Sequence, residues 1–191
     1  MPSTINASNG ASSGLISTGD ASGVLALQTN NGTTALTLGT DQSATFASKV
    51  TITGTTSSLG LVLTNMAEVT TVSATAAVGT ITYDVTTQSI LYYTVNATAN
   101  WTMNFRASSG TSLDSAMATG QAITVVFLAT NGPTAYYNNA VQVDGSSVTP
   151  KYQGGTAWSS GNASSIDAYV YTIIKTGAAT FTVLASQTRF A

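Results

Sequence analysis

Apolar and polar residues alternate along most of this chain. From residue 67 onward, seven segments carry large apolar side chains at every second position: Ile81-Tyr83-Val85, Leu91-Tyr93-Val95, Trp101-Met103-Phe105, Ile123-Val125-Phe127, Val141-Val143, Tyr169-Tyr171-Ile173 and Phe181-Val183. A period of two is the mark of a strand with one face buried. An eighth, weaker strand starts at Val69. One segment breaks the pattern. Leu113, Ala116 and Met117 stand at i, i+3 and i+4, with Thr111 or Ser112 able to cap the start and Gly120 able to stop it, which predicts a helix of one to two turns.

Residues 21–66 alternate more finely. Leu25 and Leu27, Leu36 and Leu38, Val50 and Ile52, and Leu59, Leu61 and Leu63 are separated by the turn signals Asn30-Asn31-Gly32, Gly39-Thr40-Asp41 and Thr53-Gly54-Thr55. Phe46 is the one aromatic residue there, whereas every Trp and Tyr lies beyond residue 67. That shift divides the chain into a β-rich segment over 1–66 and a domain over 67–191. The class is all-β: a short N-terminal attachment element followed by a jelly-roll-like β-sandwich with one short helix. Residues 1–20 are mostly Ser, Asn, Gly and Ala, with Leu15 and Ile16 as adjacent large apolar anchors, which reads as an arm.

Composition narrows the function. Charged residues are 6% of the 191 and the net charge is −2, against roughly 25% charged in an ordinary domain. Thr and Ser together supply 58 residues. With no His and no Cys, the usual transition-metal sites and the Ser-His and Cys-His nucleophile pairs are excluded. No cofactor is expected. Five scattered basic residues make no stripe for phosphates, so nucleic acid is not an expected partner. No apolar run reaches the ~18 residues of a membrane span, so membrane insertion is not expected, and Met1-Pro2-Ser3-Thr4 lacks the opening of a signal peptide. A neutral, hydroxyl-rich surface is poorly defended against association, which makes association the expected task.

Gly23-Val24-Leu25-Ala26-Leu27-Gln28-Thr29-Asn30-Asn31-Gly32-Thr33-Thr34-Ala35-Leu36-Thr37-Leu38 resembles a segment recurring in fibre and other virion proteins of tailed bacteriophages. The stretch from Asn100-Trp101-Thr102-Met103-Asn104-Phe105-Arg106 to Leu184-Ala185-Ser186-Gln187-Thr188-Arg189-Phe190 is similar to a C-terminal module of such proteins, frequent among phages of marine bacteria. The resemblance implies a virion location and contacts with other virion proteins of the tail or capsid. It brings no catalytic motif. The expectation is a non-enzymatic, homotrimeric short tail fibre or tail-associated adhesin, with capsid decoration as the alternative and a carbohydrate-binding module behind both.

Leu25, Leu27, Leu36, Leu38, Ile52, Leu61 and Leu63 are the candidate attachment and oligomer contacts, because a strand set this small cannot bury a core alone. Tyr136, Tyr137, Tyr152 and Trp158 are the candidate contacts for a partner or a host surface glycan. They flank turn-rich stretches, Trp158 on a loop expected to be mobile, and aromatic faces stack on sugars. The competing reading seats one of each pair in the core. Glu68, Asp84, Asp114, Asp144 and Asp167 are dispersed, and a glycosidase needs two carboxyls within about 10 Å. Asp114 reads as a helix residue and Asp144 as a turn residue. Arg106 and Arg189 are candidates to pair with Asp84, Asp114 or Asp167.

Overall fold

The computed structural model describes residues 24–29, 33–47, 50–52 and 65–191. The chain divides into two units, residues 1–64 and 65–191. In the first, β1 (Leu25–Thr29), β2 (Thr33–Leu38) and β3 (Ala44–Phe46) form an antiparallel sheet in the order β1-β2-β3. The Gly39-Thr40-Asp41 turn joins the last two. Asp41 fixes it by accepting the Ser43 N–H at 3.0 Å and the Ser43 hydroxyl at 2.6 Å, which holds its carboxyl below the usual value. Val50 and Ile52, expected in a strand, lie outside one and are exposed. Leu59, Leu61 and Leu63, the N-terminal arm and the turns at 30–32 and 53–55 lie outside the described residues.

The second unit is a β-sandwich. Ten strands follow in order: β4 (Thr70–Ala76), β5 (Gly79–Asp84), β6 (Ile90–Val95), β7 (Trp101–Arg106), β8 (Ala122–Asn131), β9 (Asn138–Val143), β10 (Ser146–Val148), β11 (Lys151–Tyr152), β12 (Ser165–Gly177) and β13 (Thr180–Phe190). One sheet has the order β10-β9-β7-β5 and the other β11-β13-β12-β8-β6-β4. Each of the seven alternating segments falls on a strand, and the weaker one expected from Val69 is β4. Most of the residues marked as apolar point inward: Tyr83, Met103, Phe105, Phe127, Tyr169, Tyr171 and Ile173 are fully buried, whereas Val95 is exposed. Aromatic rings knit the layers together. Trp101 meets Phe127 and Tyr169 edge-on, with centroids 5.8 and 5.5 Å away, and Phe105 lies 4.9 Å from Tyr171. Each such ring contributes about 1.5–3 kcal/mol by leaving water.

The course through the sandwich differs from a jelly roll. The strands from β4 to β9 alternate between the two sheets, so neighbours within a sheet are next-but-one in sequence and run parallel: β4 with β6, β6 with β8, β5 with β7, β7 with β9. A jelly roll pairs its strands antiparallel. The physical reason lies in the connections. Ala77-Val78 is too short to carry β5 back alongside β4 in parallel, so the chain steps across to the opposite layer instead. Ala77 is buried in that step, and Gly79 takes the left-handed φ of +63° that the corner needs. Antiparallel pairing returns at the β9–β10 hairpin, whose Asp144-Gly145 pair has φ of +51° and +78° as a two-residue hairpin turn requires, and in the long β8-β12-β13 ladders.

The helix is α1 (Leu113–Ala116). Ser112 caps it by accepting the Ser115 N–H at 3.1 Å. Asp144, from the hairpin turn, accepts the Leu113 and Asp114 N–H groups at 2.7 and 2.9 Å. At the other end the Lys175 ammonium donates to the carbonyls of Asp114 and Met117 and pairs with the Asp114 carboxylate at 2.7 Å. Leu113 anchors the helix in the core, and Gly120 sits in the left-handed region just beyond it.

Candidate functional site

The cross-strand register of the N-terminal sheet puts its leucines on one face. Leu25 opposes Leu38, Leu27 opposes Leu36, and Leu36 opposes Phe46. Leu25, Leu27, Leu38 and Phe46 are 43, 42, 38 and 53% exposed, and Leu36 is half-buried. The sheet thus gathers four of the expected attachment residues, Leu25, Leu27, Leu36 and Leu38, and adds Phe46. Ile52 is exposed outside the strands, and Leu61 and Leu63 lie outside the described residues. Three strands need a covered apolar face to be stable, and Leu25, Leu27, Leu38 and Phe46 on this face are exposed.

The candidate aromatics are held more firmly than ligand platforms need to be. Trp158 packs edge-on against Tyr152, 4.7 Å between centroids, and against Tyr169 at 5.3 Å. Its indole N–H donates to the Asn138 carbonyl. Its loop is therefore pinned, which corrects the expectation of a mobile one. Tyr136, Tyr137 and Tyr152 are half-buried against the core. Part of Trp158 still borders a shallow depression of about 280 Å³ with Gln153, Thr156 and Gln187. Of the four, the structure brings Tyr152 and Trp158 into contact.

Asp84, Asp114 and Asp144 are engaged by the fold. Arg106 grips Asp84 through two nitrogens, Nε to Oδ1 at 2.5 Å and a terminal nitrogen to Oδ2 at 3.3 Å. This pair holds the guanidinium above its usual value. The Lys175 hydrogen bond, then the Ala179 N–H, hold the Asp114 carboxyl below its ordinary value. Asp144 caps α1. Among the described residues, no three His, Cys, Asp or Glu side chains gather as metal ligands. Arg189 is exposed and forms no ion pair among the described residues.

Asp167 is fully buried and forms no ion pair among the described residues, although Arg189 stands opposite it on β13. Its carboxylate accepts from the Asn162 backbone N–H at 2.9 Å, the Asn162 amide at 2.7 Å and the Asn131 amide at 3.1 Å. Asn131 also donates to the Tyr136 carbonyl at 3.0 Å, so one buried network ties the 132–137 and 159–164 loops to β8 and β12. Asn138 does similar work beside it: its amide donates to the Trp101 and Ala140 carbonyls, and its Oδ1 accepts the Tyr171 hydroxyl at 3.0 Å. Burial pushes the Tyr83, Tyr169 and Tyr171 hydroxyls well above their ordinary value of 10.0. Sequence reasoning missed Asn131, Asn138, Asn162 and Gly161, whose local signals are those of turns.

No described helix is long and apolar enough to cross a membrane. No protein-family model matches the chain, and searches of curated proteins and of solved structures found no match.

Proposed function

We propose that the chain is a non-enzymatic structural protein of a tailed-phage virion, a short trimeric tail fibre or tail-associated adhesin or adaptor. The observation that carries this reading is the leucine face of β1–β3, on which Leu25, Leu27, Leu38 and Phe46 are exposed. Threefold packing of three such faces would bury it. The likeness of residues 23–38, 100–106 and 184–190 to segments of tailed-phage proteins supports the virion origin. Engagement of Asp84, Asp114, Asp144 and Asp167 in holding the fold favours a mechanical role over chemistry.

Two experiments test it. Sedimentation equilibrium of the full chain should give about three times the chain mass of 19.3 kDa, and Leu36→Asp should reduce it to the monomer. A wild-type monomer at all concentrations overturns the trimer. Quantitative mass spectrometry of purified particles should then find copies matching tail components. Capsid decoration is the second reading, favoured by the single compact sandwich of residues 65–191, and it requires an abundance near that of the capsid protein. Absence from the particle overturns both.

A further inference from the structure

β13 loses one of its two neighbours early. β11 pairs with it only through Lys151 opposite Leu184 and Tyr152 opposite Ala185. The chain then turns away through Gln153–Gly155, where Gly154 and Gly155 take left-handed φ of +75° and +78°. It returns at Trp158, pinned by its indole N–H on the Asn138 carbonyl and by its contacts with Tyr152 and Tyr169. Between this loop and β13 lies a trough. Two depressions of about 390 and 280 Å³ form it, and they share Gln153, Ala185 and Ser186. Lys151 borders the first, and Thr156, Trp158 and Gln187 the second. The polar groups here are idle. Among the described residues, the side chains of Lys151, Gln153, Thr156 and Ser186 make no hydrogen bond or ion pair. Gln187 commits its amide nitrogen to the Tyr169 hydroxyl at 3.0 Å, the Ser160 carbonyl at 3.2 Å and Asp167 at 3.4 Å, and its carbonyl oxygen has no partner. No Asp or Glu borders either depression.

We infer that this trough binds a saccharide chain bearing carboxylates, a run of uronic acids. Three observations select that class. Amide and hydroxyl groups that both donate and accept stand unpartnered beside a partly exposed indole, which matches a sugar ring with hydroxyls at its rim and an apolar face. Lys151 is the one cation bordering the trough, exposed and unpaired, whereas Arg106 and Lys175 already hold carboxylates; an acidic ligand gains from it and meets no carboxylate that repels it. The two depressions lie at the lower end of the ~300–1,000 Å³ of small-ligand sites, and because they adjoin along the surface they suit consecutive units of a chain. A peptide strand added to β13 is disfavoured, because the loop tied by the Gln187–Ser160 bond occupies that flank. Trp158 is fixed before any ligand arrives, so binding has little ordering of the ring to overcome. The inference rests on the adhesin part of the proposed function, and on neither the trimer nor the virion.

The two tryptophans supply a built-in reporter. Trp101 is 1% exposed, so a ligand-induced change in emission belongs to Trp158. The purified full chain is titrated with tetramers of galacturonate, guluronate and mannuronate, with maltotetraose as the neutral chain and tetraglutamate as the acidic chain without rings. Fluorescence and calorimetry are read together. At least one uronate tetramer should give a saturable Trp158 change with matching heat. Gln153→Ala should weaken it roughly five-fold, and Lys151→Met about three-fold at low salt, an effect that fades as salt is raised. Both side chains are exposed and unbonded, and melting curves confirm that the variants fold. No binding of any uronate up to about 10 mM overturns the proposal. Binding that leaves Trp158 unchanged, or that Gln153→Ala does not weaken, overturns this site. Maltotetraose binding as tightly overturns the acidic class, and tetraglutamate binding as tightly overturns the saccharide in favour of an acidic peptide. Failure here is read on the chain alone and is thus separate from failure of the sedimentation or particle experiments.

Discussion

Replacing Gly161 by alanine should unfold the loop end of the sandwich. The position has ordinary φ, so backbone strain is not at issue. Space is. A β-carbon there would lie 2.0 Å from the Tyr136 carbonyl oxygen, 2.8 Å from the Asn131 amide nitrogen and 3.0 Å from an Asp167 carboxylate oxygen. The first obstacle is backbone and cannot rotate away. Relief requires the 159–164 and 132–137 loops to part by about 1 Å. That movement breaks the Asn131–Tyr136 bond at 3.0 Å and the Asn162 N–H to Asp167 bond at 2.9 Å. Each leaves a shielded polar group without its partner, at about 1–3 kcal/mol apiece, so the loss should be roughly 4 kcal/mol. For a unit of this size that lowers the melting temperature by about 10–20 °C. Both tryptophans, Trp101 and Trp158, lie in residues 65–191, so their fluorescence on heating reports this unit alone. Gly110→Ala is the control: nothing lies within 4 Å of its β-carbon and its φ is ordinary, so it should change stability by less than about 1 kcal/mol. If both variants melt together, the loop contacts do not hold this end of the fold and the reasoning is wrong.

Asp144→Ala removes the acceptor from two N–H groups of α1 and puts a poor residue at φ +51°; chemical denaturation should report a loss of about 2 kcal/mol, with Asp144→Asn losing less. Asp114 titrates below its ordinary 3.8 in the fold. Its contribution is therefore complete above that value and is lost as pH falls through the lowered one. Acid unfolding curves should move to higher pH in Lys175→Met and lose this component in Asp114→Asn. Tyr83, Tyr169 and Tyr171 titrate above their ordinary 10.0. Their contribution is complete below that value and is lost as pH rises toward the folded ones, so tyrosinate absorbance from these three should appear only together with alkaline unfolding.

Strand positions were legible in this sequence because alternation encodes which side chains face the core, and Trp101-Met103-Phe105 or Tyr169-Tyr171-Ile173 state it directly. Alternation is silent on which strands become neighbours. The parallel pairing of β4 with β6 follows from a two-residue step into the other layer, and such a step reads in sequence like a hairpin turn. β3 was missed because Ala44-Thr45-Phe46 is too short to show a period, while Val50 and Ile52 imitate one outside any strand. Half of the candidate site was readable: Leu25, Leu27, Leu36 and Leu38 share a face because period two puts them there. The Asp167 network was not readable. Its members Asn131, Asn162 and Asp167 span 36 residues, and an Asn or Gly in a turn looks the same whether or not it later closes on a buried carboxylate.

The alternating course also sets how the sandwich carries load. β4 runs parallel to β6 and β8, β12 runs against them, and β13 runs with them again. Thr70 thus starts the edge strand β4 and Phe190 ends β13, which only the two-residue β11 flanks on its far side, and the two strands point the same way. Tension applied between the two ends of residues 65–191 is directed along the strands. It shears the intervening ladders as a set, where a hairpin pulled from its open end would unzip one rung at a time. The six-stranded sheet is built like a lap joint, strong along its length, and force-driven unfolding at constant pulling speed should require more tension through these ends than through the tips of the β12–β13 hairpin.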